Sequence, residues 1–194
     1  MEKGLDFRKE RYFQALIVSV LLCLSTLVSS SPRPSEYDVK LAYLYNFTKF
    51  MNWPEQLFEH KNSPYVLCIV GNIQIKPDVV KQLQQKTSRN RPIQIRFINE
   101  HSSIDKCHVL FITRTINYRS TMQLAQNANG TGTVLVGEVP GFAQDHGIVE
   151  FILDDRNRVR IIINLTHAHN QEVSISAQLL EVAKEVFPSS EEKL

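Results

Sequence analysis

Apolar positions change period from one segment of this chain to the next. Residues 15–28, ALIVSVLLCLSTLV, form one apolar run behind a leader carrying Lys3, Arg8, Lys9 and Arg11. Residues 39–54, VKLAYLYNFTKFMNWP, have helical spacing and stop at Pro54. At 100° per residue, Val39, Tyr43, Leu44, Phe47, Phe50 and Met51 fall within an arc of roughly 140°. This predicts a core-facing stripe, with Leu41 and Tyr45 on the polar side. Ser35 and Asp38 have the spacing of a capping box ahead of this helix.

Residues 65–70, YVLCIV, read as a strand buried on both faces and ended by Gly71. Residues 77–85 have helical spacing with proline at the start. Residues 93–98 alternate, with Ile93, Ile95 and Phe97 on one side. A strand is expected at 109–112, a helix at 118–127 stopped by Asn129-Gly130, and a strand at 133–136. Residues 137–142 read as a glycine- and proline-punctuated loop. Residues 148–153 and 158–165 form an antiparallel hairpin about the turn 154–157. A final helix is predicted over 173–186, with Ile175, Leu179, Val182, Ala183 and Val186 on one face. Strands separated by short helices favour an α/β fold: one mainly parallel sheet with helices on both faces and a C-terminal hairpin plus helix.

The first apolar run is short for a membrane span and has the length of a signal peptide, with the cut placed near Ser30–Ser31. The expected organisation is a signal peptide at 1–30, a linker at 31–36, one α/β domain at 37–188 and a polar tail at 189–194. Loss of the leader leaves 18 basic residues against 17 acidic ones. A near-neutral chain without a basic cluster gives no nucleic-acid signal. The densest basic patch, KTSRNR at 86–91, reads as a solvated loop. The exported part holds only Cys68 and Cys107. An even pair in an oxidising compartment suggests one disulfide, against the alternative of two buried thiols that never meet.

The segments VKLAYLYNFTKFMNWP (39–54), the cysteine strand (65–71), RPIQIRFI (91–98), CHVLFI (107–112), VPGFA (139–143), NRVRIIINL (157–165) and ISAQLLEVAKEV (175–186) together resemble the YfiR-like family of small periplasmic proteins. The resemblance covers nearly all of the mature chain, in order. It implies a Rossmann-like α/β domain in the periplasm, often dimeric. It implies repression of a membrane-bound diguanylate cyclase through that enzyme's periplasmic domain, with sequestration by an outer-membrane lipoprotein. It also maps the family's disulfide onto Cys68 and Cys107. A second cysteine pair carried by some relatives is missing, so redox switching that relies on it is not expected here.

Catalytic chemistry finds no motif. G-x-S-x-G, H-E-x-x-H and P-loop patterns are all missing, and Gly71 lacks the other glycines of a dinucleotide fingerprint. No cofactor and no metal site is expected. His167 and His169 would share one side of a strand end but have no evident third ligand, so they read as an exposed loop. Arg158 and Arg160 alternate with Val159 and Ile161, placing two guanidinium groups on one sheet face where an acidic partner or small anion could be held. Trp53 beside Pro54 reads as a lid on the core or a ligand platform. Tyr45 and Leu41 are candidates for a protein contact. The expected function is a non-enzymatic periplasmic regulator that grips an inner-membrane signalling protein. The rival is a small-ligand sensor with a pocket formed by Trp53 and Arg160.

Overall fold

The computed structural model describes residues 34–188. The expected signal peptide at 1–30 and the tail at 189–194 lie outside the described residues. Among the described residues no helix is long and apolar enough to cross a membrane.

Helix α1 spans Glu36–Phe50. Its start is the expected capping box: the Asp38 N–H donates to Ser35 Oγ at 3.1 Å, and the Ser35 N–H to Asp38 Oδ2 at 2.9 Å. The helix ends earlier than Pro54. Met51 turns extended, and β1 (Met51–Asn52) pairs antiparallel with β9 (Ser174–Ile175). A backbone that must be extended before proline cannot sustain helix up to it.

The main sheet has eight strands. After β2 (Tyr65–Val70) come helix α2 (Pro77–Gln84), β3 (Thr87–Ser88) and β4 (Arg91–Ile98). The chain then returns through β5 (Val109–Ile112), helix α3 (Tyr118–Ala128), β6 (Val134–Gly137), helix α4 (Phe142–Asp145), β7 (Val149–Leu153) and β8 (Val159–Asn164). It finishes with α5 (Leu165–Asn170), β9, α6 (Ala177–Glu181) and β10 (Glu185–Phe187). The order is β10-β8-β7-β6-β5-β2-β4-β3. The pairings from β4 through β7 and between β8 and β10 are parallel, whereas β7–β8 and β3–β4 are antiparallel.

Alternate strand residues feed two cores. Leu67, Ile69, Val109 and Phe111 meet Leu41, Leu44 and Phe47 of α1 and Leu83 of α2. Val66, Cys68, Leu110 and Ile112 meet Leu124, Ala125 and Ala128 of α3 on the opposite face. The central sheet is thus mostly parallel and carries helices on both faces, as the alternation of short apolar strands with helical segments demands.

Three local expectations are corrected. The final helix over 173–186 does not form; five residues of α6 separate two strands. Lys184 N–H donates to the Ile161 carbonyl at 2.8 Å, and β10 then pairs with β8 from Glu185. The free edge of β8 captures a segment whose spacing alone suits a helix. KTSRNR is not a loop but the tip of the β3–β4 hairpin, with Arg89 and Asn90 both at positive φ, as a two-residue primed turn requires. Phe97 is 55% exposed while Ile93 and Ile95 are buried. Beyond Pro92 no described strand flanks the outer side of β4. The Ile95 N–H there donates instead to Gln84 Oε1 of α2 at 3.3 Å.

Candidate binding surface

Helix α1 presents a different face from the one its spacing predicts. Leu41 is 1% exposed and belongs to the core, so it is not available for the contact expected of it. The buried set is Lys40, Leu41, Leu44, Phe47 and Thr48, an arc rotated by roughly 70° from the predicted stripe. Rotation is possible because the two polar members are satisfied. Thr48 Oγ1 donates to the Tyr45 carbonyl at 2.6 Å, and Lys40 pairs with Glu36 and Glu138. Tyr45 is half-buried; its hydroxyl donates to the Thr87 carbonyl at 3.1 Å, and Lys49 Nζ lies 4.3 Å from its ring centre.

The Lys40 cluster occupies the carboxyl ends of β5 and β6. Glu138 follows β6, and its Oε1 accepts from Tyr37 Oη at 3.2 Å and from the Arg114 N–H at 2.7 Å. Arg114 also pairs with Glu36. The Lys40 and Glu138 side chains are each 2% exposed. Burial raises the Glu36 carboxyl, but Lys40 and Arg114 outweigh it and hold the group below its ordinary value. Burial and the Glu138 charge push the Tyr37 phenol up. Open α/β sheets take ligands at carboxyl strand ends where the strand order reverses. Here the chain leaves β2 for β4 on one side and for β5 on the other. At that point Thr113 Oγ1 and Thr115 Oγ1 crowd Gly71, while the first turns of α1 close over β5 and β6.

Trp53 is committed to the fold. It is 7% exposed, and its Nε1 donates to the His108 carbonyl at 3.2 Å. His108 stacks on Phe58 at 4.6 Å, and Arg91 lies 3.7 Å from the other ring, between them closing the amino ends of β2 and β5. His108 Nδ1 accepts from the Val66 N–H at 3.1 Å, so the neutral ring carries its proton on Nε2, a buried atom without a partner among the described residues. Burial, and behind it the Arg91 charge, lowers this imidazole to about 4.

Arg160 pairs in register with Ile152, near the carboxyl end of β7, so it lies at the opposite end of the sheet from Trp53. The pocket expected between Trp53 and Arg160 is therefore not formed by these two residues. Val159, Ile161 and Ile163 face α1, so Arg160 points to the other face of the sheet, where Ile152 and Ile162 are half-exposed. Asp154 Oδ2 accepts from Arg158 Nε at 2.8 Å and from Arg160 Nε at 3.2 Å. The Arg158 side chain and backbone, then the Arg156 backbone and Arg160, hold this carboxyl far below the usual range. The turn brings Asp154 and Asp155 together with Arg156, Arg158 and Arg160, leaving one net positive charge on a face with half-exposed isoleucines.

The model of the YfiR/HmsC-like family matches residues 37–184, more than half of the chain. The chain belongs to this family. No curated protein matches it. In this YfiR/HmsC-like domain Cys68 and Cys107 form a disulfide, with Cα atoms 5.7 Å apart at a sequence separation of 39. It ties β2 to the entry of β5 on the α3 side of the sheet. His167 and His169 lie on the short helix α5, not in a loop. Two residues apart on a helix, their side chains diverge, and His167 Nδ1 lies 2.8 Å from the Gly147 carbonyl.

Two features of the domain escaped sequence reasoning. Lys40 sits in the apolar run VKLAYL, and a lone lysine there is itself the signal of a buried ion pair. Glu150 is 4% exposed in the strand VEFIL. Its carboxylate accepts from the Gly141 N–H at 3.2 Å and the Ala143 N–H at 3.1 Å, fixing the VPGFA loop.

Proposed function

We propose that this protein is a non-enzymatic periplasmic regulator that binds the periplasmic domain of an inner-membrane diguanylate cyclase and holds it inactive. The observation that carries this reading is the family match over residues 37–184. Repression works by differential binding: the protein shifts its partner only as far as it prefers the inactive conformation. We assign the contact to the face of Arg158 and Arg160. Their guanidinium groups share Asp154 and keep N–H donors for a carboxylate of the partner, while Ile152 and Ile162 supply apolar area. An outer-membrane lipoprotein competing for this face would relieve repression and raise cyclic di-GMP, which promotes biofilm formation.

The test is capture of the purified periplasmic domain of a cyclase encoded beside this gene. The unmodified protein retains it and lowers cyclic di-GMP synthesis in membranes. Arg160→Glu loses capture at unchanged melting temperature. Capture and repression left intact by Arg160→Glu and Arg158→Glu together would remove this face, and failure to capture any such domain would remove the cyclase.

A further inference from the structure

Among the described residues five large apolar side chains stand out as exposed, and two of them, Tyr118 at 71% and Val139 at 36%, line a single cavity. The cavity has a volume of about 230 Å³ and lies between the start of α3 and the VPGFA loop. Its remaining walls include Ile116, Pro140, Phe142 and His146. The His146 ring stands 6.4 Å from both Tyr118 and Phe142, so three rings frame the chamber.

This chamber is built in advance. Phe142 is wedged against Gly137 and Gly147, where an added Cβ would stand 2.4 Å and 2.0 Å from its ring. The buried Glu150 carboxylate holds the loop by two backbone N–H groups. A wall already fixed in place saves a ligand the entropy of ordering it.

Two polar features say what the chamber would hold. Thr121 lines it, is 3% exposed, and carries a buried hydroxyl without a partner among the described residues. Asp145 lies where the chamber meets a second, more polar trough of about 390 Å³, since Asp145 and His146 line both. Its carboxylate enters no ion pair or hydrogen bond among the described residues, and no lysine or arginine lines either cavity. Gln126, Asn129 and Asn170 along the trough offer amides to a polar extension.

We infer that this cleft binds a small apolar amine: an aromatic or branched aliphatic body in the ring-walled chamber, and an ammonium group at Asp145. Aromatic faces and one unpaired carboxylate both favour a cation over an anion of the same shape. The site is distinct from the arginine face, and its occupancy is measured on the protein alone, so it stands or falls apart from the cyclase reading.

The probes are phenethylamine, 3-phenylpropanoate and 2-phenylethanol, which share one body and differ in charge. Titration of the oxidised protein, followed by calorimetry and by melting temperature, should show the amine binding about tenfold more tightly than the carboxylate. Asp145→Asn, at an exposed position, should keep the melting temperature of the free protein and erase that preference while leaving the alcohol unchanged. Tyr118→Ala should weaken the amine and the alcohol alike. Equal binding of amine and carboxylate, a preference that survives Asp145→Asn, or no binding of any probe at millimolar concentration would each overturn the inference.

Discussion

Lys40 and His108 are single residues whose burial has measurable consequences. Lys40 Nζ is held by Glu36 and Glu138. Glu138 keeps the Arg114 guanidinium at 3.5 Å, so removing Lys40 weakens the cluster without leaving that carboxylate unpaired, and Lys40→Met should cost about 1–3 kcal/mol in urea denaturation. Glu138→Gln added to it should recover part of that loss, because the buried charge that has lost its ammonium partner goes. His108 makes stability fall with acidity. The unfolded chain takes up this proton near pH 6.5 and the folded chain only near pH 4, so the unfolded state binds more protons between the two. Stability from this group is complete above pH 6.5 and is lost progressively toward pH 4, by up to about 3 kcal/mol. His108→Gln should flatten that part of the profile, measured by denaturation midpoints at a series of pH values.

Elements with strong local signals were legible in the sequence. The capping box starts α1 where Ser35 and Asp38 predict it, β2 is the buried run ended by Gly71, and the β7–β8 hairpin follows its turn residues. The rotation of α1 was not legible, because it depends on Glu138, 98 residues away, giving Lys40 a reason to be inside. Nor was the end of the chain. Val182 and Val186 fit a helical stripe, but Val182 is 54% exposed and Val186 lies beside Ile163 in the sheet. Short apolar segments suit either period, and an open strand edge decided between them. Of the candidate site, the two arginines on one sheet face could be read from alternation, whereas the cleft beside α3 needs the loop and two helices in place. The disulfide belongs to this scale too. Cys68→Ala with Cys107→Ala should lower stability by about 4 kcal/mol in the chain-entropy model, read from denaturation of the oxidised protein and the double variant.

Across the whole molecule, the sheet separates surfaces that a linear reading places together. Tyr45 packs with α1 on one face and Arg160 points out of the other. One partner with a flat epitope engages one of them. Tyr45→Ala, which loses a hydrogen bond to Thr87 and ring packing, should cost about 1–2 kcal/mol of stability and leave capture of the proposed cyclase domain intact. Arg160→Glu should do the reverse, and capture assays run alongside thermal melts separate the two effects.

The margin of β4 carries a further consequence. A second polypeptide that tried to zip itself along that border would find the Ile95 amide already taken by Gln84, an obstacle worth only about 1 kcal/mol. While the chain is still folding, before α2 has packed down, even that small guard is missing. The same border would then be the place where nascent copies adhere to one another.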